Sequence, residues 1–226
     1  MKKVLFILLF LQLFNITKAQ IITDADFEKI DMLQFDADGN GKVKDKEAAL
    51  AIKELYELDK NNAITRVLVV DSIPKTKDQI YIDVNNWFVH SFQSGKSVIQ
   101  LNDKESGVII AKGFVSNMGS TLSFASNADI SAWVIIRVDM RDSKMRITTT
   151  VQSYEMRKGM GVLGALSGVV QTYHQELIPT ECFPFANKNK KEGAKAFVKS
   201  HLYSLIIIEK LKEAVLNGLT GTEDEW

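Results

Sequence analysis

Between residues 134 and 152 apolar and polar side chains alternate almost without a break. Val134, Ile136, Val138 and Met140 interleave with Ile135, Arg137, Asp139 and Arg141. Beyond the polar turn Arg141-Asp142-Ser143-Lys144, Met145, Ile147, Thr149 and Val151 interleave with Arg146, Thr148, Thr150 and Gln152. A period of two with one apolar side predicts a pair of antiparallel strands in a sheet covered on a single face. Residues 97–103 and 107–115 are two further extended runs, and the short polar link Asp103-Lys104-Glu105-Ser106 predicts that they pair as a hairpin. Residues 64–70 are short, β-branched and apolar, which predicts a buried strand.

Helical spacing appears on either side of these runs. Pro74 marks the entry to a helix over 75–92. Ala194, Val198, Leu202, Leu205, Ile208, Leu211 and Val215 recur at helical steps over 192–216. Either helix can cover the apolar face of the sheet. Near the N-terminus, Thr23 can cap a helix with Phe27, Ile30 and Leu33 on one stripe, widened by Met32 and Phe35. A second helix carries Ala48, Ala51, Ile52, Leu55 and Leu58 and ends near Lys60. Residues 156–185 contain the apolar, glycine-rich run MGVLGALSGVV, which predicts a packed loop or short surface helix because it is too short to span a bilayer.

The first nineteen residues have two lysines, an apolar run from Val4 to Phe14 and a polar end at Ala19, the pattern of a cleaved secretory signal peptide. The expected location is therefore periplasmic or secreted, with no transmembrane anchor after cleavage. The chain has 28 basic and 28 acidic residues, and residues 1–19 contain three lysines and no acid, so the mature chain is slightly acidic. That balance argues against nucleic acid as a partner. The single Cys182 cannot form an internal disulfide.

The chain is expected to divide into a signal peptide (1–19), a helix-loop-helix (20–60) and an α+β domain (61–226) with an insertion near 156–185. Within the larger region the order ITRVLVVDSIPKTKDQIYIDVNNWF, KSVIQLNDKESGVIIAKGF, the hairpin RDSKMRITT and PTECFPF ahead of a C-terminal helix is similar to an uncharacterised bacterial envelope family. That family is described as a domain of unknown function with a TATA-binding-protein-like fold. Trp87, Asp103-Lys104-Glu105, Gly107 and Lys144-Met145-Arg146 carry the resemblance, which spans roughly residues 64–216. It implies an α+β fold, an antiparallel sheet of four to five strands with helices packed on one face, and no activity. DNA binding does not follow from the shared shape.

The link between the two N-terminal helices reads DADGNGKVKDKE, the spacing of a calcium loop. Asp36, Asp38 and Asn40 occupy positions one, three and five, Gly41 the sharp turn at six, Lys42 the backbone-carbonyl position at seven and Glu47 the bidentate position at twelve. A hard dication wants six to eight oxygens, and alternate acids around a tight turn supply them. Lys44 at position nine and the absence of a paired second hand predict a weak, constantly filled structural calcium site.

Other candidates are thinner. His90, His174 and His201 follow no metal spacing, and Cys182 has no assignable base. Gly159-Met160-Gly161-Val162-Leu163-Gly164 matches a dinucleotide fingerprint only by letters. Arg137, Asp139, Arg141 and Arg146 form cross-strand ion pairs or a charged recognition surface. The expectation is a non-enzymatic protein that binds an unknown envelope protein or small ligand. Two alternatives stand beside it. One is a carrier of a small apolar ligand between the sheet and the C-terminal helix. The other is a hydrolase that brings a histidine to Cys182 or a serine only in three dimensions.

Overall fold

A computed structural model describes residues 45–61, 63–91, 98–124, 126–167 and 172–218. The segments expected as a signal peptide and a first N-terminal helix, and most of the calcium-type loop, lie outside the described residues. The fold is α+β. Its described elements, in order, are α1 (Asp45–Lys53), β1 (Glu57–Leu58), β2 (Ile64–Asp71), α2 (Lys77–Ser91), β3 (Ile99–Asp103), β4 (Val108–Leu122), β5 (Ser126–Arg141), β6 (Lys144–Met160), α3 (Val162–Ser167), β7 (Thr172–Leu177), a 3-10 turn (Pro179–Glu181) and α4 (Lys190–Asn217). All seven strands join one antiparallel sheet, so it has more strands than the four to five expected. The order is β1-β2-β6-β5-β4-β3. β6 is long enough to pair with β2 along Lys144–Val151 and, further up the same edge, with β7 along Tyr154–Gly159.

The alternation in the sequence gives the heart of the sheet correctly. Met140 pairs with Met145 and Val138 with Ile147 across the two-residue turn Asp142-Ser143, and all four are buried. β5 keeps the same phase back to Ala128 through small inward residues, Ala128 and Ala132, whereas β6 runs beyond the alternating stretch with a change of phase. Val151 is buried, yet so are Tyr154 and Met156, which a strict period of two from Val151 would turn outward. One extra residue is needed. Val134 pairs with Val151 and Trp133 with Ser153, which leaves Gln152 as the extra residue of a β-bulge.

Both long helices lie on the inner face of the sheet. α4 packs on β4, β5, β6 and β2, while α2 packs on β5 and α4. Phe88, Trp87, Ile109, Ile136, Ile147, Phe197, Ile207 and Leu211 belong to one contiguous buried core. Burial of this kind stabilises by about 1.5–3 kcal/mol for each large side chain.

α2 starts at Lys77 because Thr76 and Gln79 form a capping box. The Gln79 amide N–H donates to Thr76 Oγ1 at 3.3 Å, and the Thr76 N–H donates to Gln79 Oε1 at 2.9 Å. The Lys77 N–H donates to the Asp142 carboxylate at 2.7 Å, tying the helix to the β5–β6 turn.

Three expectations are corrected. The second N-terminal helix ends at Lys53, not near Lys60, because the Leu55 and Tyr56 N–H groups donate to the Ile52 and Lys53 carbonyls in tight terminal turns. Tyr56 is then buried against Phe197 and His201, while Leu55 and Leu58 face solvent. Ala49 rather than Ala51 faces α4, with Ala48 and Ile52 partly buried beside it. Residues 64–70 form a strand but not a fully buried one, since Val67 and Val69 lie on the uncovered face near the sheet edge. The apolar run does hold a short helix, α3, with Val162 and Leu166 exposed, and around it residues 156–185 add the end of β6, β7 and the 3-10 turn.

Candidate functional site

Among the described residues the two long helices leave the outer face of β4, β5, β6 and β7 uncovered, and its side chains are not those of an ordinary wet face. Phe114 and Trp133, paired across β4 and β5, meet edge to face with ring centroids 5.0 Å apart. The Lys112 ammonium stands 4.9 Å from the centroid of the Trp133 ring, and the Trp133 indole N–H donates to Glu155 Oε1 at 2.7 Å. Above them an open groove of about 390 Å³ is lined by Phe114, Asp129, Glu155, Arg157, His174 and Glu176, among others. The register explains how they meet. Asp129, Arg157 and His174 share one row across β5, β6 and β7, and Ser131, Glu155 and Glu176 share the next.

The lower end of the same face is built around Asp139. Arg137 donates from Nε and Nη2 to its carboxylate at 2.7–3.1 Å, and Arg146 does so from the neighbouring strand at 3.1–3.2 Å. Partial burial pushes the Asp139 carboxyl up, but the hydrogen bonds from the two guanidinium groups outweigh it and the net shift is downward. A second groove of about 280 Å³ lies here, lined by Val69, Ser106, Met140, Arg141, Lys144 and neighbours. The ion-pair reading of Arg137, Asp139 and Arg146 is therefore what the geometry contains, with Arg141 exposed beside it.

Of the calcium-loop residues, Asp36, Asp38, Asn40 and Lys42 lie outside the described residues. Glu47 is exposed in the first turn of α1. The described part of that unit is firmly placed: α1 packs on α4, and the Lys53 ammonium sits 5.6 Å from the Phe185 ring centroid. Among the described residues no cluster of three His, Cys, Asp or Glu side chains could hold a metal ion.

The histidines stand in three separate places. His90 is exposed at the end of α2, and His174 lies on β7. His201 is buried in α4, where the Arg66 guanidinium donates to its Nδ1 at 3.0 Å and the Tyr56 hydroxyl lies 2.9 Å from the same nitrogen. A donor aimed at Nδ1 requires the neutral ring to carry its proton on Nε2. Burial, with the positive Arg66 beside it, lowers the His201 pKa to about 4. Tyr56 also reaches Ser204 Oγ at 3.3 Å, but Ser204 donates its own proton to the His201 carbonyl at 2.7 Å. This buried network fastens α4 to β2 and to the turn before β1. Cys182 is buried, its thiol pKa pushed up by burial, with the Asn189 amide at 3.7 Å.

The residues behind the family resemblance gather at one corner and serve the fold. Ser106 donates from its N–H and hydroxyl to the Asp103 carboxylate at 3.0 and 2.7 Å, closing the β3–β4 turn. Lys104 pairs with Asp78 at 3.2 Å, Lys77 donates to the Glu105 carbonyl at 3.0 Å, and Lys144 pairs with Asp71 at 2.9 Å. Gly107 has φ +65°, and its carbonyl accepts from the Met140 N–H at 2.7 Å. Trp87 is core. Periodicity alone missed the outer aromatic patch and β7. The signal for the former was present, since Trp133 and Ile135 fall on the polar phase of β5.

Residues 67–155 match the model of the family described as a domain of unknown function (DUF4468) with TBP-like fold. The match runs from β2 into β6 and stops before α3, β7 and α4. Two solved structures are similar: a TBP-like protein from Parabacteroides distasonis ATCC 8503 (13% identity, TM-score 0.47, 71% of this chain and 97% of that chain) and a DUF4468 family protein from Bacteroides ovatus ATCC 8483 (13% identity, TM-score 0.43, 71% and 90%). No curated protein matches.

Proposed function

With residues 67–155 forming a DUF4468 domain of TBP-like fold, we propose that this chain is a non-enzymatic interaction module of the bacterial envelope, periplasmic or secreted, braced by a weak structural calcium site. The observation that carries the reading is the uncovered outer face. Both long helices pack on the other side, so among the described residues neither covers the Phe114–Trp133 pair or its neighbouring groove. Half-exposed aromatic side chains beside a groove are the anchors that interfaces use most. Calcium in the loop 36–47 would fix the head of α1, whose Ala49 and Ile52 rest on the core beside α4.

The small-ligand carrier has less support. The space between sheet and α4 is filled by Phe197, Tyr203, Ile207 and Leu211 against Ile109, Ile136 and Ile147, all buried.

The test is chemical cross-linking of the protein to envelope extract, comparing the wild type with a Phe114→Ala/Trp133→Ala variant. A specific cross-linked species that disappears in the variant, at unchanged secondary structure, is the expected result. Identical cross-linking patterns would remove the outer face as the binding surface.

A further inference from the structure

The edges of the sheet are not equally protected. A free strand edge presents unpaired N–H and C=O groups, and proteins blunt such edges by keeping them short, bulged or charged with lysine, or by placing proline there. β1 is only two residues long. β3 carries a register shift between Ile99 and Leu101, and the Tyr81 hydroxyl donates to its Asn102 side chain. β7 has none of these devices. Its sequence TYHQEL contains no lysine or proline, its six residues pair with β6 in unbroken register, and the first five are exposed. Among the described residues its other edge pairs with no strand.

The side chains beside that edge specify what would pair with it. Glu155 and Glu176 are direct cross-strand partners, an arrangement of like charges that destabilises a sheet. Asp129 lines the same groove, against a single guanidinium, Arg157. No ion pair among the described residues neutralises Glu155 or Glu176. A cation placed beside Glu176 from outside β7 would relieve this repulsion, so the charge favours a basic partner.

We propose that the free edge of β7 is a docking strand for an extended basic segment of a partner protein, which pairs along Tyr173–Glu176 and sets a lysine or arginine beside Glu176 and Glu155. Main-chain hydrogen bonds to β7 supply affinity, and alternate side chains facing the groove supply selectivity, as in other strand-addition complexes. The inference rests on the interaction-module reading and names the partner's chemistry.

The experiment uses a fluorescein-labelled octapeptide of alternating lysine and threonine, titrated with the full mature protein by fluorescence anisotropy. Saturable binding is expected, weakened by about tenfold or more in Glu176→Lys. The same peptide N-methylated at alternate residues on its pairing edge should lose binding to the wild-type protein, and a glutamate–threonine octapeptide should not bind. Equal binding of the N-methylated peptide would overturn strand addition, and equal binding of the acidic peptide would overturn the charge assignment. Failure of the lysine–threonine peptide to bind, or its exclusion by self-association of the protein through β7 in sedimentation velocity, would overturn the docking proposal. A cross-link that still depends on Phe114 and Trp133 would leave the module reading standing in either case.

Discussion

The Tyr56 hydroxyl and His201 Nδ1, 145 residues apart in the chain, lie 2.9 Å from each other in the interior. With Arg66 donating to the same nitrogen, the ring is held neutral: burial, then the Arg66 charge, lowers its pKa to about 4 from an ordinary value of 6.5. Between those values the unfolded chain binds a proton that the folded chain does not. This contribution is complete above about pH 6.5, falls as the pH drops toward 4, and changes no further below it. The gap corresponds to about 2–3 kcal/mol after allowance for solvent screening. Urea unfolding between pH 4.5 and 7.5 should show this slope, and His201→Gln should flatten it. An unchanged slope in the variant would mean that other groups set the acid sensitivity.

The Lys75 side chain joins two helices. Its ammonium pairs with Asp83 of α2 at 2.8 Å and donates to the Val215 carbonyl in the last turn of α4 at 2.6 Å, where a cation also complements the helix dipole. Lys75→Met should cost about 1–3 kcal/mol, because Asp83 and a helix-terminal carbonyl lose their donor at a partly buried site. Thermal unfolding measures it; a loss below about 0.5 kcal/mol would class the pair with ordinary surface ion pairs.

The bulge at Gln152 makes two single-residue deletions unequal. Removing Gln152 regularises the β5–β6 ladder and leaves Val151, Tyr154 and Met156 facing the core. Removing Thr150 instead turns Val151 outward and drives the Gln152 amide inward. The second deletion should be the more destabilising by about 3 kcal/mol, combining lost apolar burial with a buried amide. Equal midpoints in urea would refute the bulge.

These cases show what could be read from the residues and what could not. The paired strands around Asp142-Ser143 were legible because one face is buried, so each side chain along Val134–Met140 reports its side. The far end of β6 was not, because a bulge resets the phase at Gln152 and a strict period of two stops there, while the start of β5 holds its phase only through small residues, Ala128 and Ala132, that give a weak apolar signal. β7 escaped because its first five residues are exposed on both faces and have no alternation to detect. The helix ending at Lys53 was overextended because Tyr56 is held by Phe197 and His201, contacts that no local pattern records. The outer aromatic patch was visible only as apolar residues in the polar phase, which a helix or a second sheet could equally have covered.

Gly107 is a place where the family motif has a measurable physical reason. Its φ is +65°, and a Cβ there would stand 2.6 Å from the Met140 carbonyl oxygen, which is backbone and cannot swing away. Gly107→Ala should therefore combine left-handed strain with a steric clash and cost about 2 kcal/mol or more. The comparison is Ser143→Gly at the other turn, where φ is +58° and glycine removes strain. The first variant should lower the melting temperature, and the second should leave it unchanged or raise it.

The proposed calcium brace makes a prediction that involves both ends of the described fold. Glu47 would supply the bidentate ligand at the head of α1, and α1 rests on α4, so filling the loop should stabilise the whole domain rather than the loop alone. Calcium at about a hundred times the dissociation constant would add about 2.7 kcal/mol, seen as a rise in melting temperature that a chelator reverses. Glu47→Gln should abolish that rise, with the calcium-free melting temperature of each protein as its own baseline. A calcium-independent melting curve, with no heat in a calcium titration of the wild-type protein, would remove the brace and leave α1 held by packing alone.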